Sequence, residues 1–311
     1  MPWVSLAIAL TSVLGASLLL FPTVVSWFSQ YEQSHRIDDL TEDVADLGSA
    51  TLQDELERAR AYNADVVGGG ANLVANGRLP VADEPDQAGE YESILRADRA
   101  GLMARLKIPA INVDLPVSHG TSGTVLEHGV GHLEGTALPV GGKSTRSVLT
   151  AHRGLATSEL FTHLDRVQVD DTFTIEVFGE VLTYRVTDTR IVEPADGHSL
   201  FPVDGQDLVT LVTCTPLGVN SHRILVTGER VIPTPQADLD GAGRSPEIPT
   251  FPWWALIATG MLILAAAYVW LSGRPPRERG RPLNGTTVGT DGVPTGACPS
   301  TEPPRPREDD R

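Results

Sequence analysis

The sequence predicts a mainly β, closed barrel with short helices, preceded by amphipathic helices and flanked by two membrane-spanning helices. Three observations carry this reading. Short runs that alternate apolar and polar residues crowd into residues 103–232, with only brief helical stretches such as 158–164 between them. Two long runs, 1–28 and 251–271, contain no Asp, Glu, Lys or Arg. After the first of these runs, apolar residues recur every three to five positions. Many short strands with few helices pack as a closed barrel or a sandwich.

Residues 1–28 come first. The apolar run from Trp3 to Phe28 exceeds the ~20 residues that cross a hydrocarbon core and reads as a transmembrane helix or uncleaved signal anchor. A cleaved signal peptide is the alternative, but such peptides have a ~7–15-residue apolar core and a small-x-small site. Residues 29–66 follow as membrane-proximal amphipathic helices. Their stripe is Ile37, Leu40, Val44, Leu47, Leu52, Leu56, Ala59, Asn63 and Val66, with acids on the other face. Gly48 and Ser49 mark a break between two helices. The stripe packs on the domain or, alternatively, forms a coiled coil with a partner.

Residues 67–102 form a loop rich in Gly, Pro and acids, including Gly68, Gly77, Pro80, Pro85 and Gly89. Loops this long are functional lids or disordered. The barrel occupies 103–232, with strands at 104–108, 147–151, 172–177, 181–186, 208–213 and 223–228. Gly179-Glu180 reads as a hairpin turn. Residues 233–250 are a linker. The run 251–271 is a second transmembrane helix, with Trp253 and Trp254 at one end and Tyr268 and Trp270 at the other, as in an interfacial belt. The tail 272–311, rich in Pro, Gly, Thr and charge, reads as disordered.

Charge sets the orientation. Arg274, Arg277, Arg279 and Arg281 follow the second span, and cytoplasmic flanks carry the excess of basic residues. Both termini are therefore expected in the cytoplasm, with 29–250 outside the cell membrane. The chain has 40 acids and 24 bases, a formal charge of −16, which excludes a phosphate-backbone partner such as nucleic acid. The outward segment alone holds 34 acids and 17 bases. Of the two cysteines, Cys214 falls outside and Cys298 in the tail inside, so they cannot pair. A lone external thiol in an oxidising space is a liability unless it is used. No cofactor or metal motif is read from the chain.

Three short runs carry candidate chemistry. In Thr210-Leu211-Val212-Thr213-Cys214-Thr215-Pro216 a strand ends at a thiol, and Pro216 stops the ladder. The bland alternative is a buried structural cysteine. In Val148-Leu149-Thr150-Ala151-His152-Arg153-Gly154 a strand ends at a histidine before a glycine turn, and there are eight histidines to choose from. In Asn220-Ser221-His222-Arg223 a strand begins, and its arginine reads alternatively as a surface ion pair.

Together these runs resemble the sortases, surface cysteine transpeptidases of Gram-positive bacteria. The TLxTC signature is met by Thr210 to Cys214, the histidine context by Thr150-Ala151-His152, and the following arginine by Arg223. The likeness is nearest to class C, the pilin polymerases, through residues 129–136 and 138–144, His152-Arg153-Gly154 and residues 214–223. It covers roughly residues 35–232 and the second span.

The resemblance implies a sortase-like barrel that uses Cys214, His152 and Arg223 as catalytic residues, without a cofactor or metal. It further implies cleavage of an LPxTG-like motif between Thr and Gly, a thioester acyl-enzyme, and transfer to a lysine amine of the next pilin. Pilin subunits and the membrane are the expected partners. A housekeeping sortase acting on cell-wall precursor is one alternative, and a non-enzymatic surface adhesin another. His222 is a rival base. Class C lids carry an Asp-Pro-aromatic anchor. Here the lid candidates are Asp83, Glu84, Pro85 and Asp86, with Asp86 where the aromatic stands. An Asp cannot fill an apolar groove without desolvation cost.

Overall fold

The computed structural model describes residues 3–68, 90–155, 158–247 and 249–274. Its centre is a closed barrel of eight strands: β1 (Leu102–Ile108), β2 (Val113–His119), β3 (Val130–His132), β4 (Thr145–Thr150), β5 (Thr172–Val177), β6 (Glu180–Val192), β7 (Asp207–Thr215) and β8 (His222–Arg230). Around the barrel they run β1-β2-β3-β4-β7-β8-β6-β5. The β2–β3 and β4–β7 pairs are parallel and the rest antiparallel. A closed barrel leaves no strand edge unpaired.

Local sequence explains the strands. In β5, Phe173, Ile175 and Val177 point inward, and in β6 Leu182, Tyr184 and Val186 do the same. Phe173 and Tyr184 stack at 5.5 Å inside the barrel. The β5–β6 turn falls on Phe178-Gly179, one residue earlier than the Gly179-Glu180 expected, because Val177 pairs with Glu180. Both turn residues have positive φ, +44° and +83°. A two-residue hairpin of this hand needs that conformation, and Gly179 supplies one position without steric cost.

The helices flank this barrel. α1 (Trp3–Asp46) is one continuous helix of 44 residues, so the apolar run and the first amphipathic stretch share a single axis. Its last turns lie along β1 and β2, with Ile37 and Leu40 buried. The chain then breaks, and α2 (Ser49–Gly68) lays Leu52, Leu56, Ala59 and Tyr62 against the barrel core. Asn63 belongs to this stripe for a polar reason. Its side chain donates to Leu138 O at 3.0 Å and accepts from Leu138 N at 2.7 Å, so both ends of the buried amide have a partner. α3 (Gly123–His128) and α4 (Gln236–Asp240) are short. α5 (Trp253–Ser272) has no buried residue. α1 and α5 run side by side and are long and apolar enough to cross a membrane.

Two apolar clusters form. The larger fills the barrel and the α2 contact. The smaller comprises Leu133, Val148, Leu200, Val212 and Leu225 on the outer face of the sheet, with Val192 packed beside it. At roughly 1.5–3 kcal/mol per buried large aliphatic side chain, the smaller cluster fixes the β6–β7 connection, which carries Leu200, over β4, β7 and β8.

Candidate active site

The outer face of β4, β7 and β8 positions the three candidate residues. Cys214 on β7 is the register partner of Arg223 on β8. On the other side β4 runs parallel to β7, with Thr150 opposite Val212. The pairing continues past the end of β4: Ala151 N donates to Val212 O at 3.3 Å, and Thr213 Oγ1 donates to Ala151 O at 2.8 Å. One residue past Ala151 comes His152, and two residues past Val212 comes Cys214.

Parity decides the face. Side chains along a strand alternate between its two faces. Ala151, Leu211 and Ile224 belong to the barrel interior, whereas Val148, Val212 and Leu225 form the outer cluster. His152, Cys214 and Arg223 share parity with the second set. They continue, toward the strand ends, the row of Val148, Val212 and Leu225 on the same outer face. Neighbouring strands lie roughly 4.8 Å apart, and Cys214 and Arg223 occupy paired positions on two of them.

Electrostatics distinguish them. Arg223 is buried, and its Nη1 donates to Asn220 O at 2.9 Å and His222 O at 3.0 Å. Among the described residues no carboxylate forms an ion pair with it. Its charge therefore remains available to a ligand, and two carbonyls orient its fork. Burial holds the His152 pKa below the ordinary histidine value, opposed weakly by Glu127. Cys214 is a free thiol, partly exposed.

Arg153 is a residue whose part the sequence did not disclose. Its Nη1 donates to Thr215 Oγ1 at 2.8 Å, its Nε to Thr162 O at 3.0 Å, and its Nη2 lies 2.9 Å from Asp165 Oδ2. It thus clamps the loop after His152 to the residue after Cys214. Gly154, with φ +74°, takes a left-handed conformation that glycine adopts without steric cost, and the Leu217 side chain of the β7–β8 loop packs against it. The available signal was the His-Arg-Gly run itself.

Other candidates separate from this row. His222 pairs with Thr215, has the opposite parity to Arg223 and is exposed, with Ser221 Oγ 2.9 Å from its Nδ1. His132 is fully buried, held by Tyr91 Oη at 2.8 Å and Ala137 O at 2.9 Å, and burial pushes its pKa down to about 4. Asp83, Glu84, Pro85 and Asp86 lie outside the described residues, as does Cys298.

Known proteins share this architecture. A sortase domain model matches residues 106–231. Sortase C1 of Streptococcus agalactiae is 41% identical, with a TM-score of 0.58, over 63% of this chain and 98% of that one. The chain belongs to the sortase family. Members of this family are cysteine transpeptidases. Two further class C structures are similar to this sortase. Sortase C-1 of Actinomyces oris is 46% identical over 58% of this chain and 98% of that one, with a TM-score of 0.52. Sortase C of Streptococcus pneumoniae is 37% identical over 63% and 96%, with a TM-score of 0.54. Among curated proteins, sortase D of Bacillus subtilis is 29% identical over 129 residues, which are 40% of this chain. Sortase SrtE1 of Streptomyces coelicolor is 28% identical over 149 residues, 43% of this chain. The chain spans 62% and 42% of the length of these two relatives.

Proposed function

We propose that this sortase is a membrane-anchored transpeptidase that joins pilin subunits into covalent polymers, with Cys214 as nucleophile, His152 as general acid–base and Arg223 as oxyanion ligand. The observation that carries this reading is the pairing of Cys214 with Arg223, with His152 just past the end of the neighbouring strand, and an arginine that no carboxylate pairs with among the described residues.

The steps follow from that arrangement. The Cys214 thiolate attacks the carbonyl carbon between Thr and Gly of an LPxTG-like motif. Charge develops on the carbonyl oxygen, and Arg223 meets it with oriented N–H donors. Arg223 stays protonated and cannot act as a base. The C–N bond breaks as His152 delivers a proton to the leaving glycine amine, which leaves a thioester on Cys214. A pilin lysine amine then attacks the thioester carbonyl. His152 takes the amine proton, an isopeptide bond forms and the thiol is released.

The class C neighbours support the pilin reading, and the Streptococcus pneumoniae enzyme is described in terms of pilin substrate specificity. α1 and α5 support the anchor: the apolar end of α1 at Trp27 and the start of α5 at Trp254 meet, with ring centroids 6.0 Å apart. The barrel then lies beyond that end of the span. The arginines after residue 272 support a cytoplasmic tail.

Incubation with purified pilin and an LPxTG-type peptide tests the proposal. Polymer ladders and a thioester on Cys214 are the expected result. Transfer to cell-wall precursor without ladders would favour the housekeeping alternative, and loss of neither product in Cys214→Ala would remove the enzyme reading.

A further inference from the structure

The β7–β8 loop, Pro216 to Ser221, starts two residues after Cys214 and carries no charged side chain. Every residue in it is exposed, Leu217 by 51% and Val219 by 70%. The loop is tight. Val219 N and Asn220 N both donate to Pro216 O, at 3.1 and 2.9 Å. The backbone around Val219 is held in this way while its side chain stays outside the barrel.

Single exposed aliphatic side chains are ordinary. Leu217 and Val219 are set apart by their level along the molecule. Leu217 packs against Gly154. Gly154 and Leu155 line one cavity with Ser26 and Trp27 of α1 and Trp254 of α5. Gln33 of α1 donates to Ser158 at 3.0 Å and ties the same segment to the helix. Trp27 and Phe28 close the uncharged run of α1, and Trp254 lies at the start of that of α5. Their rings meet there, with centroids 5.9–6.0 Å from Trp254. Aromatic residues concentrate at the membrane–water boundary. The segment after His152 therefore stands at the level of that boundary, and so does the β7–β8 loop packed on it. The other end of β7 is remote, about 26 Å away along the strand at ~3.3 Å per residue. There Asp204 accepts from Ser144 Oγ at 3.0 Å, just before β7 begins.

We propose that Leu217 and Val219 seat the β7–β8 loop in the headgroup–acyl boundary of the bilayer that α1 and α5 cross, so that the mouth beside Cys214 opens along the membrane surface. The partner is the bilayer because the loop continues the aromatic boundary of the two helices. An uncharged loop gives up no ion hydration on entering that layer, and its two aliphatic side chains leave water. The inference rests on the membrane-anchored reading of α1 and α5.

Fluorescence quenching of the full chain in phosphatidylglycerol vesicles tests it. Val219→Cys, in a chain that also carries Cys214→Ala and Cys298→Ala, is labelled with an environment-sensitive dye. Val203→Cys in the same background is the reference, because Val203 is 43% exposed and lies at the remote end, next to Asp204. For a loop seated ~5–10 Å into the boundary, a phospholipid with a spin label near its ester should quench the dye at 219 at least about threefold more than at 203. Equal quenching at the two positions overturns the inference. A dye signal that changes with protein density and ignores the spin-labelled lipid assigns the loop to a second copy of the chain and overturns it as well. A chain that alkaline carbonate strips from the vesicles overturns the membrane reading and the loop placement together. A chain that stays inserted while the dye at 219 is quenched no more than at 203 overturns the loop placement alone.

Discussion

Cys214 and Arg223 are direct cross-strand partners on β7 and β8, so the candidate thiol and the one candidate guanidinium occupy the same face at the same level. Opposed side chains in an antiparallel pair have Cα atoms roughly 4.5–5.5 Å apart. The strand ladder, rather than a loop, therefore sets the distance between the proposed nucleophile and the proposed oxyanion ligand.

A lysine at this position keeps the charge but loses the planar fork that Asn220 O and His222 O orient. Arg223→Lys is expected to lower kcat/KM by at least about a hundredfold, the usual cost of one oxyanion donor. Cys214→Ala should form no thioester. Peptide kinetics and intact-protein mass spectrometry check both, and an adduct on the alanine variant would contradict the assignment.

Arg153 acts by positioning. Arg153→Gln should reduce kcat about tenfold, or ~1.4 kcal/mol, with little change in KM, because the clamp holds the His152 loop rather than substrate. Thr215→Val removes the same contact from the other side. The double variant should then be no worse than Arg153→Gln alone, whereas two independent structural effects would add.

Burial governs the pH behaviour. His132 has its pKa pushed down to about 4, against an ordinary value of about 6.5. Below about 6.5 the unfolded chain binds a proton that the folded chain refuses, so stability falls as pH drops. The His132 share of this loss approaches about 3 kcal/mol by pH 4. Urea unfolding at pH 7 and pH 4.5 checks the sign, and His132→Gln should flatten the slope. By the same cause, nuclear magnetic resonance titration of His152 should give a midpoint below the ordinary histidine value, and Glu127→Gln should lower it further.

Orientation is open to direct chemistry. With 29–250 outside and both termini inside, an impermeant thiol reagent on sealed, wall-stripped cells should spare Cys298. Rapid labelling of Cys298 before lysis would reverse the topology.

The candidate lid sequence has Asp86 where the aromatic of class C lids stands. Deleting residues 80–88 should raise peptide cleavage by less than about tenfold, or 1.4 kcal/mol. The thiol reactivity of Cys214 should rise with salt in the intact chain and lose that dependence in the deletion, since a latch of acids on cations is screened. A far larger gain would mean a firm plug, and no change in either assay would mean no lid.

The sequence by itself determined six of the eight strands, missing β2 and the three-residue β3, together with the two uncharged runs and the local runs around Cys214, His152 and Arg223. Each is a short-range property. Alternation names a strand, a long apolar run names a span, and TLVTC followed by Pro216 places the thiol near a strand end. Tertiary structure decided the rest. Period two says that Val212 and Leu211 face opposite ways, but not which way is inward. Closure of the barrel around Phe173 and Tyr184 put Leu211 inside and left Val212, with Cys214, on the outer face. The parallel β4–β7 pairing brings together residues about sixty positions apart, and no local pattern encodes that register. The same packing buried His132, exposed His222 and made Arg153 a clamp. Three histidines of similar appearance in sequence thus acquired different chemistry, because desolvation and hydrogen-bond partners belong to the fold and not to the residue.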